Sequence, residues 1–116
     1  MDRLGQFDET MANYTKHGWR LRRVLLRAET GVELAKLAGN ERAADLFAGA
    51  TTEDSELDAL WFARASHNNR EAWELRLVAE PPYALFETFE PEETEEEREE
   101  LRREMESRMR DYAARR

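Results

Sequence analysis

The first 38 residues carry the most regular apolar pattern in the chain. Apolar or small residues recur there at alternating steps of three and four positions, the spacing of a seam along one face of a helix. The seam consists of Leu4, Phe7, Met11, Tyr14, Gly18, Leu21, Leu25, Ala28, Val32 and Ala35. Because Gly18 can end one helix, the pattern predicts two helices, over 2–17 and 19–38, or a single continuous one.

The middle of the chain has two interpretations. A short helix is predicted over 41–48, with Asn40 as its N-cap. In the helical interpretation of 57–89, helices cover 57–66 and 70–79, and Pro81-Pro82 is the stop. In the other, 57–89 is a three-stranded antiparallel meander with strands at 59–65, 72–78 and 83–89, and 19–28 is a further strand. Trp73, Leu75 and Leu77 alternate with polar residues, as the second interpretation requires.

Residue preferences favour the helical interpretation. Isoleucine is absent and valine occurs only three times, whereas Ala, Leu, Glu and Arg dominate. β-branched residues favour strands, and unbranched ones favour helices. We therefore expect an all-α fold, a small helical bundle, with the α+β meander as the alternative.

The segment from Pro91 to the end has the features of one long charged helix. No glycine or proline follows Pro91, and the Glu-rich start and Arg-rich end complement the helix dipole. Leu101, Met105, Met109 and Tyr112 form one narrow apolar line. We expect a compact domain over 1–90 and a protruding helix over 91–116 of which only the second half docks.

Composition excludes several classes of protein. The chain has 116 residues, a net charge of -8 and no cysteine, which excludes disulfides and thiolate chemistry. It has no apolar run long enough to span a membrane. Its first residues lack the apolar region of a secretory signal, so we expect a cytoplasmic protein with no membrane association.

Charge is concentrated in two segments. Residues 16–27 hold five basic residues and no acidic one, and in a helix Lys16, Arg20, Arg23 and Arg27 would form a stripe beside Trp19. Residues 87–106 hold eleven glutamates and three arginines. We expect the acidic helix to lie near the basic stripe, in one chain or between two copies. The acidic total makes direct binding of nucleic acid an unfavoured alternative.

No residue pattern indicates an enzyme. The chain lacks a Gly-rich phosphate loop and any Ser-His-Asp ordering. His67, Glu71 and Glu74 have the spacing of metal ligands on a helix, but Asn68-Asn69 disfavours a helix there. We expect no catalysis, no cofactor and no metal.

These features predict a non-catalytic helical interaction protein: an adaptor, an assembly factor or a structural subunit that binds a protein partner or a second copy of itself. The alternative is an acidic inhibitor of the immunity, antitoxin or anti-defence type that mimics a polyanion. The aromatic cluster near 83–89 is either core or a partner anchor. The predicted partner-binding residues are Lys16, Trp19, Arg20, Arg23, Arg27, Tyr83, Phe86, Phe89, Leu101, Met105, Met109 and Tyr112.

Overall fold

The chain folds into a five-stranded sheet with helices on both faces. The computed structural model describes residues 2–115, without the side chains of Asn40, Ala43 and Ala44, so the predicted cap at Asn40 lies outside the described residues. The elements are α1 (Arg3–Lys16), β1 (Arg20–Leu26), α2 (Ala28–Ala38), α3 (Asn40–Leu46), β2 (Thr51–Asp54), β3 (Ala59–Ala65), β4 (Glu71–Leu77), β5 (Tyr83–Phe89) and α4 (Glu95–Ala114). A short 3-10 turn, His67–Asn69, joins β3 to β4.

The prediction of an all-α bundle is wrong, and the α+β alternative describes the fold. The segments expected as helices at 57–66 and 70–79 contain β3 and β4, and the first half of the helix expected at 19–38 is β1. Every residue of β4 is paired in register with β3 and with β5. These long-range pairings and the burial of apolar side chains outweigh the weak helix preference of Leu, Ala and Arg.

Gly18 makes the switch from α1 to β1. Its φ of 86° lies in the left-handed region, which glycine adopts without steric cost. The backbone N–H of Gly18 donates to Thr15 O, and that of Trp19 donates to Tyr14 O, both at 3.0 Å. The helix predicted over 2–17 is therefore confirmed, and it ends at Lys16, just before Gly18.

The strands follow the order β2-β1-β3-β4-β5. β2 runs parallel to β1, and the other neighbouring strands are antiparallel. The register between β1 and β3 shifts, because Leu21 lies opposite Phe62 while Arg23 lies opposite Trp61. This β-bulge leaves Arg22 as an extra residue in β1.

The two faces of the sheet carry separate apolar cores. One core packs under α4 and contains Leu25, Trp61, Trp73, Leu75, Phe89, Met105 and Met109. The other packs under α1, α2 and α3 and contains Leu4, Phe7, Trp19, Val24, Leu34, Phe47, Leu60 and Phe62. Leu21 and Leu25, which share the apolar seam of the sequence, lie on opposite faces of the sheet.

The buried side chain of Asp58 links three segments of the fold. Its side chain is buried, forms an ion pair with Arg3, and accepts hydrogen bonds from Arg27 N at 2.9 Å and Thr30 Oγ1 at 2.7 Å. These contacts join the start of α1, the junction between β1 and α2, and the start of β3.

Helix α4 lies across one face of the sheet. It begins with a capping box, in which Thr94 Oγ1 accepts from Glu97 N and Glu97 Oε1 accepts from Thr94 N, each at 3.1 Å. Met105 and Met109 are buried, as expected of the docking half, but polar side chains of the first half also contact the sheet. The division of the chain into 1–90 and 91–116 stays a prediction. Within residues 2–115, no helix is both long enough and apolar enough to cross a membrane.

Candidate functional site

Arginine side chains line a cleft between β1, β4 and the first half of α4. We call it the arginine cleft; it has a volume of about 460 Å³. Its lining residues are Arg22, Arg23, Gly49, Thr51, Glu71, Trp73, Glu95, Arg98 and Arg102. A neighbouring cleft of about 590 Å³ shares Arg22, Glu71 and Arg98 and adds Arg20 and Arg70.

Two local features of the backbone bring these arginines together. The bulge in β1 turns Arg22 to the same face as Arg23, because alternate residues of a regular strand point to opposite faces. On α4, Arg98 and Arg102 are one turn apart and share one line along the helix with the buried Met105 and Met109. They therefore face the sheet.

Trp73 is the aromatic centre of the cleft. The guanidinium carbons of Arg102, Arg22 and Arg23 lie 3.9, 5.1 and 5.7 Å from the centroid of its ring. Cations over an indole face are attracted by the ring quadrupole. The Trp73 Nε1–H donates to Glu71 Oε1 at 2.6 Å, which fixes the orientation of the ring.

Glu99 holds two of the arginines. Arg23 Nη2 and Arg102 Nη1 donate to its Oε1 at 2.7 and 2.9 Å. Burial alone would raise the pKa of the Glu99 carboxyl, but the hydrogen bonds and charges of the two guanidinium groups outweigh burial and lower it. For Arg23, burial lowers the pKa, whereas the hydrogen bond and charge of Glu99 raise it above its ordinary value.

Arg102 is the most buried charged side chain in the cleft, with 1% of its surface exposed. Its Nη1 also donates to Glu95 Oε1 at 2.7 Å. The Nε atoms of Arg102 and Arg98 are buried and have no hydrogen-bond partner within the described part of the chain. A buried donor without a partner costs about 1–3 kcal/mol, so these two groups need an explanation.

A second candidate surface is the outer edge of β5, which we call the β5 edge. β5 is the last strand of the sheet and has no neighbour on its outer side within residues 2–115. Its seven residues include one charge, Glu87, and Phe86 is 55% exposed. The opposite edge strand, β2, has four exposed residues and ends on Glu53 and Asp54, a pattern that protects an edge from pairing.

The structure distributes the predicted basic stripe over several elements. Lys16 is exposed on α1, Arg20 and Arg23 lie on β1, and the exposed Arg27 pairs with Glu29 at 2.8 Å. They do not share one face, because a strand replaces the expected helix. The expectation that the acidic helix lies near these residues is confirmed at Arg23, through Glu99.

The predicted aromatic and apolar contact residues mostly contact their own chain. Phe89, Met105 and Met109 are buried in one core, with Leu101 and Tyr112 packed against it. Tyr83 stacks on Tyr112 with ring centroids 3.7 Å apart. Trp19 is buried beneath the Arg64 guanidinium, and Phe86 meets its edge while remaining largely exposed.

The three residues considered as metal ligands do not converge. His67 lies in the 3-10 turn, while Glu71 and Glu74 are three positions apart on β4 and so point to opposite faces. Within residues 2–115, no group of three histidine or acidic side chains could hold a metal ion.

Arg22, Arg98 and Arg102 were not among the residues predicted to bind a partner. A signal for the last two exists, because Arg98, Arg102, Met105, Met109 and Tyr112 continue one line at steps of four and three. A line of apolar residues that continues through arginines indicates that those arginines also face the body of the protein. For Arg22 the sequence carries no signal, since its position depends on the bulge.

Comparisons of the chain with protein-family models, with curated proteins and with solved structures found no match.

Proposed function

We propose that this chain is a non-catalytic interaction protein, an adaptor, assembly factor or structural subunit of the cytoplasm, and that the β5 edge is its binding surface. The expectation that this interaction protein is helical is wrong, because a five-stranded sheet is the centre of the fold. The observation that carries the proposal is the contrast between the two sheet edges. β2 is short and ends on two acidic residues, whereas β5 is longer and exposes Phe86.

An open edge strand binds another strand through its free backbone groups. The outer N–H and C=O groups of β5 can pair with an extended segment, and side chains near the edge then add specificity. Tyr83, Leu85 and Phe86 are large apolar side chains at this edge, and Glu87 is the single charge of the strand. A natural edge strand of this length is usually blunted by more charges or by proline.

We propose a second copy of the chain as the partner. If two β5 strands pair antiparallel with Phe86 opposite Phe86, Tyr83 lies opposite Phe89 and Leu85 lies opposite Glu87. This register places the two exposed Phe86 rings opposite each other and places no glutamate directly opposite another one. Each favourable cross-strand pair contributes roughly 0.2–1 kcal/mol, in addition to the backbone hydrogen bonds of the new strand pair.

Sedimentation equilibrium of the purified protein tests the proposal. The wild-type chain should form a dimer at micromolar concentration, and Phe86→Glu should be monomeric because it places two charges opposite each other. Val32→Glu is the matched control, since Val32 is 57% exposed on α2, away from this edge. A wild-type monomer at every concentration, or equal dimerisation of Phe86→Glu, contradicts the proposal.

The polyanion-mimic alternative has weaker support from the geometry. Glu95 and Glu99 bind Arg102 and Arg23 of the same chain, and Glu97 completes the helix cap. A mimic needs its carboxylates free to meet the arginines of a partner.

A further inference from the structure

We propose that the arginine cleft binds a small ligand through an oxyanion group, a phosphate or a carboxylate. Four of its lining residues are arginines, whereas Glu71 and Glu95 are its lining carboxylates. Arginine is the residue best suited to oxyanions, because its planar fork of N–H donors matches two oxygen atoms at once. The inference is independent of the β5 edge.

The charge balance of the cleft leaves donors for a ligand. Glu99 holds Arg23 and Arg102, and Glu95 also binds Arg102. Arg98 approaches Glu71 at 3.8 Å and donates from Nη2 to Glu90 O at 2.7 Å. Arg22 is exposed at the mouth and makes no ion pair within the described residues. An incoming oxyanion would meet Arg22 first and gain the attraction of the remaining guanidinium groups.

Two unpartnered donors belong to side chains that line the cleft. Arg102 is almost wholly buried, and its Nε, like that of Arg98, has no acceptor within residues 2–115. Both side chains line the cleft. A bound oxygen atom that shifts these side chains slightly would provide the missing acceptor, which the carboxylates already present do not.

The bulge in β1 places two neighbouring arginines on the same side of the sheet, at the cleft. Without the extra residue, either Arg22 or Arg23 would point to the face under α1. With it, one arginine binds Glu99 and anchors α4, while its neighbour stays free over the same Trp73 ring. Bulges are frequent next to functional sites because they redirect side chains.

Titration followed by NMR of the arginine Nε–H groups tests this inference in the full-length chain. The probes are inorganic phosphate, pyrophosphate and succinate, each at low ionic strength. We expect saturable shifts of the Arg98 and Arg102 Nε–H signals with at least one probe. Shifts with the phosphates alone identify a phosphoryl ligand, and shifts with succinate alone identify a carboxylate ligand.

Substitutions in the cleft separate a built site from general attraction of anions. Arg22→Gln and Arg98→Gln should each weaken binding about tenfold, the loss of one charge-assisted hydrogen bond. Arg108→Gln is the matched control, because it removes the same charge from an exposed position of α4 and should leave binding unchanged. The inference is overturned if none of the probes gives saturable shifts, or if Arg108→Gln weakens binding as much as Arg22→Gln does.

Discussion

Arg23 and Glu99 are 76 residues apart in the chain and form a bidentate pair, with Nη1–Oε2 at 3.0 Å and Nη2–Oε1 at 2.7 Å. The pair joins the bulged strand β1 to the first half of α4. It sits directly beside the buried Arg102, which shares Glu99. Removing the Glu99 carboxylate therefore affects two arginines at once.

Glu99→Gln should lower the free energy of unfolding by about 1 kcal/mol, the upper end for a partly exposed pair, because Arg102 depends on the same carboxylate. Urea denaturation monitored by tryptophan fluorescence measures this. Glu100→Gln removes the same charge from an exposed neighbouring position and is the control. Equal stability of the two variants would show that the pair does not hold the helix.

The pH dependence of stability should carry the signature of Glu99. Because its pKa in the folded chain is lowered, the carboxylate contributes stability that is present above the ordinary pKa of glutamate, about 4.3, and is lost as pH falls through the lower, folded value. The wild-type chain should lose this contribution below about pH 4.3, while Glu99→Gln shows a shallower slope there. Thermal unfolding across an acid pH series measures it, and parallel profiles for the two chains would contradict the assignment.

Asp58→Ala should destabilise the chain strongly, by about 3–5 kcal/mol, because it leaves Arg3 without its buried partner and removes the acceptor of Arg27 N and Thr30 Oγ1. Chemical denaturation compares it with Asp54→Ala, which removes an exposed carboxylate from the edge strand β2. We expect the control to change stability by less than about 0.5 kcal/mol. Similar losses for both variants would contradict the role of Asp58 as the link between the elements.

Two glycines should respond to alanine with opposite signs. Gly31→Ala should stabilise the chain by up to about 1 kcal/mol, since Gly31 lies within α2 and an added Cβ meets no atom within 4 Å. Gly18→Ala should destabilise it by about 1–2 kcal/mol, because φ at Gly18 is +86°. Differential scanning calorimetry gives both shifts in melting temperature, and shifts of the same sign would refute the conformational argument.

The helices at the two ends of the chain could be predicted from the sequence because their signals are local. α1 combines an apolar face with a glycine just after its end, and α4 combines a capping box, uninterrupted helix formers and acidic residues in its first turn. The strands of the meander were recognisable only as an alternative, since their scarcity of β-branched residues favoured helices. Which interpretation applied depended on pairing between strands far apart in the chain.

The sequence by itself predicted a helix end at Gly18 as one of two alternatives, a charged C-terminal helix, and the placement of that helix near the basic residues that include Arg23. Only the tertiary structure decided the rest of the site. The bulge in β1 depends on how Leu21 and Arg23 pair with β3. It is the bulge that turns the side chain of Arg22 to the same face of the strand as that of Arg23. Likewise, Arg98 and Arg102 become cleft residues because Met105 and Met109 are buried against the sheet and fix the rotation of α4. Spacing along a chain sets which residues share a face of one element, but contact between elements sets what that face meets.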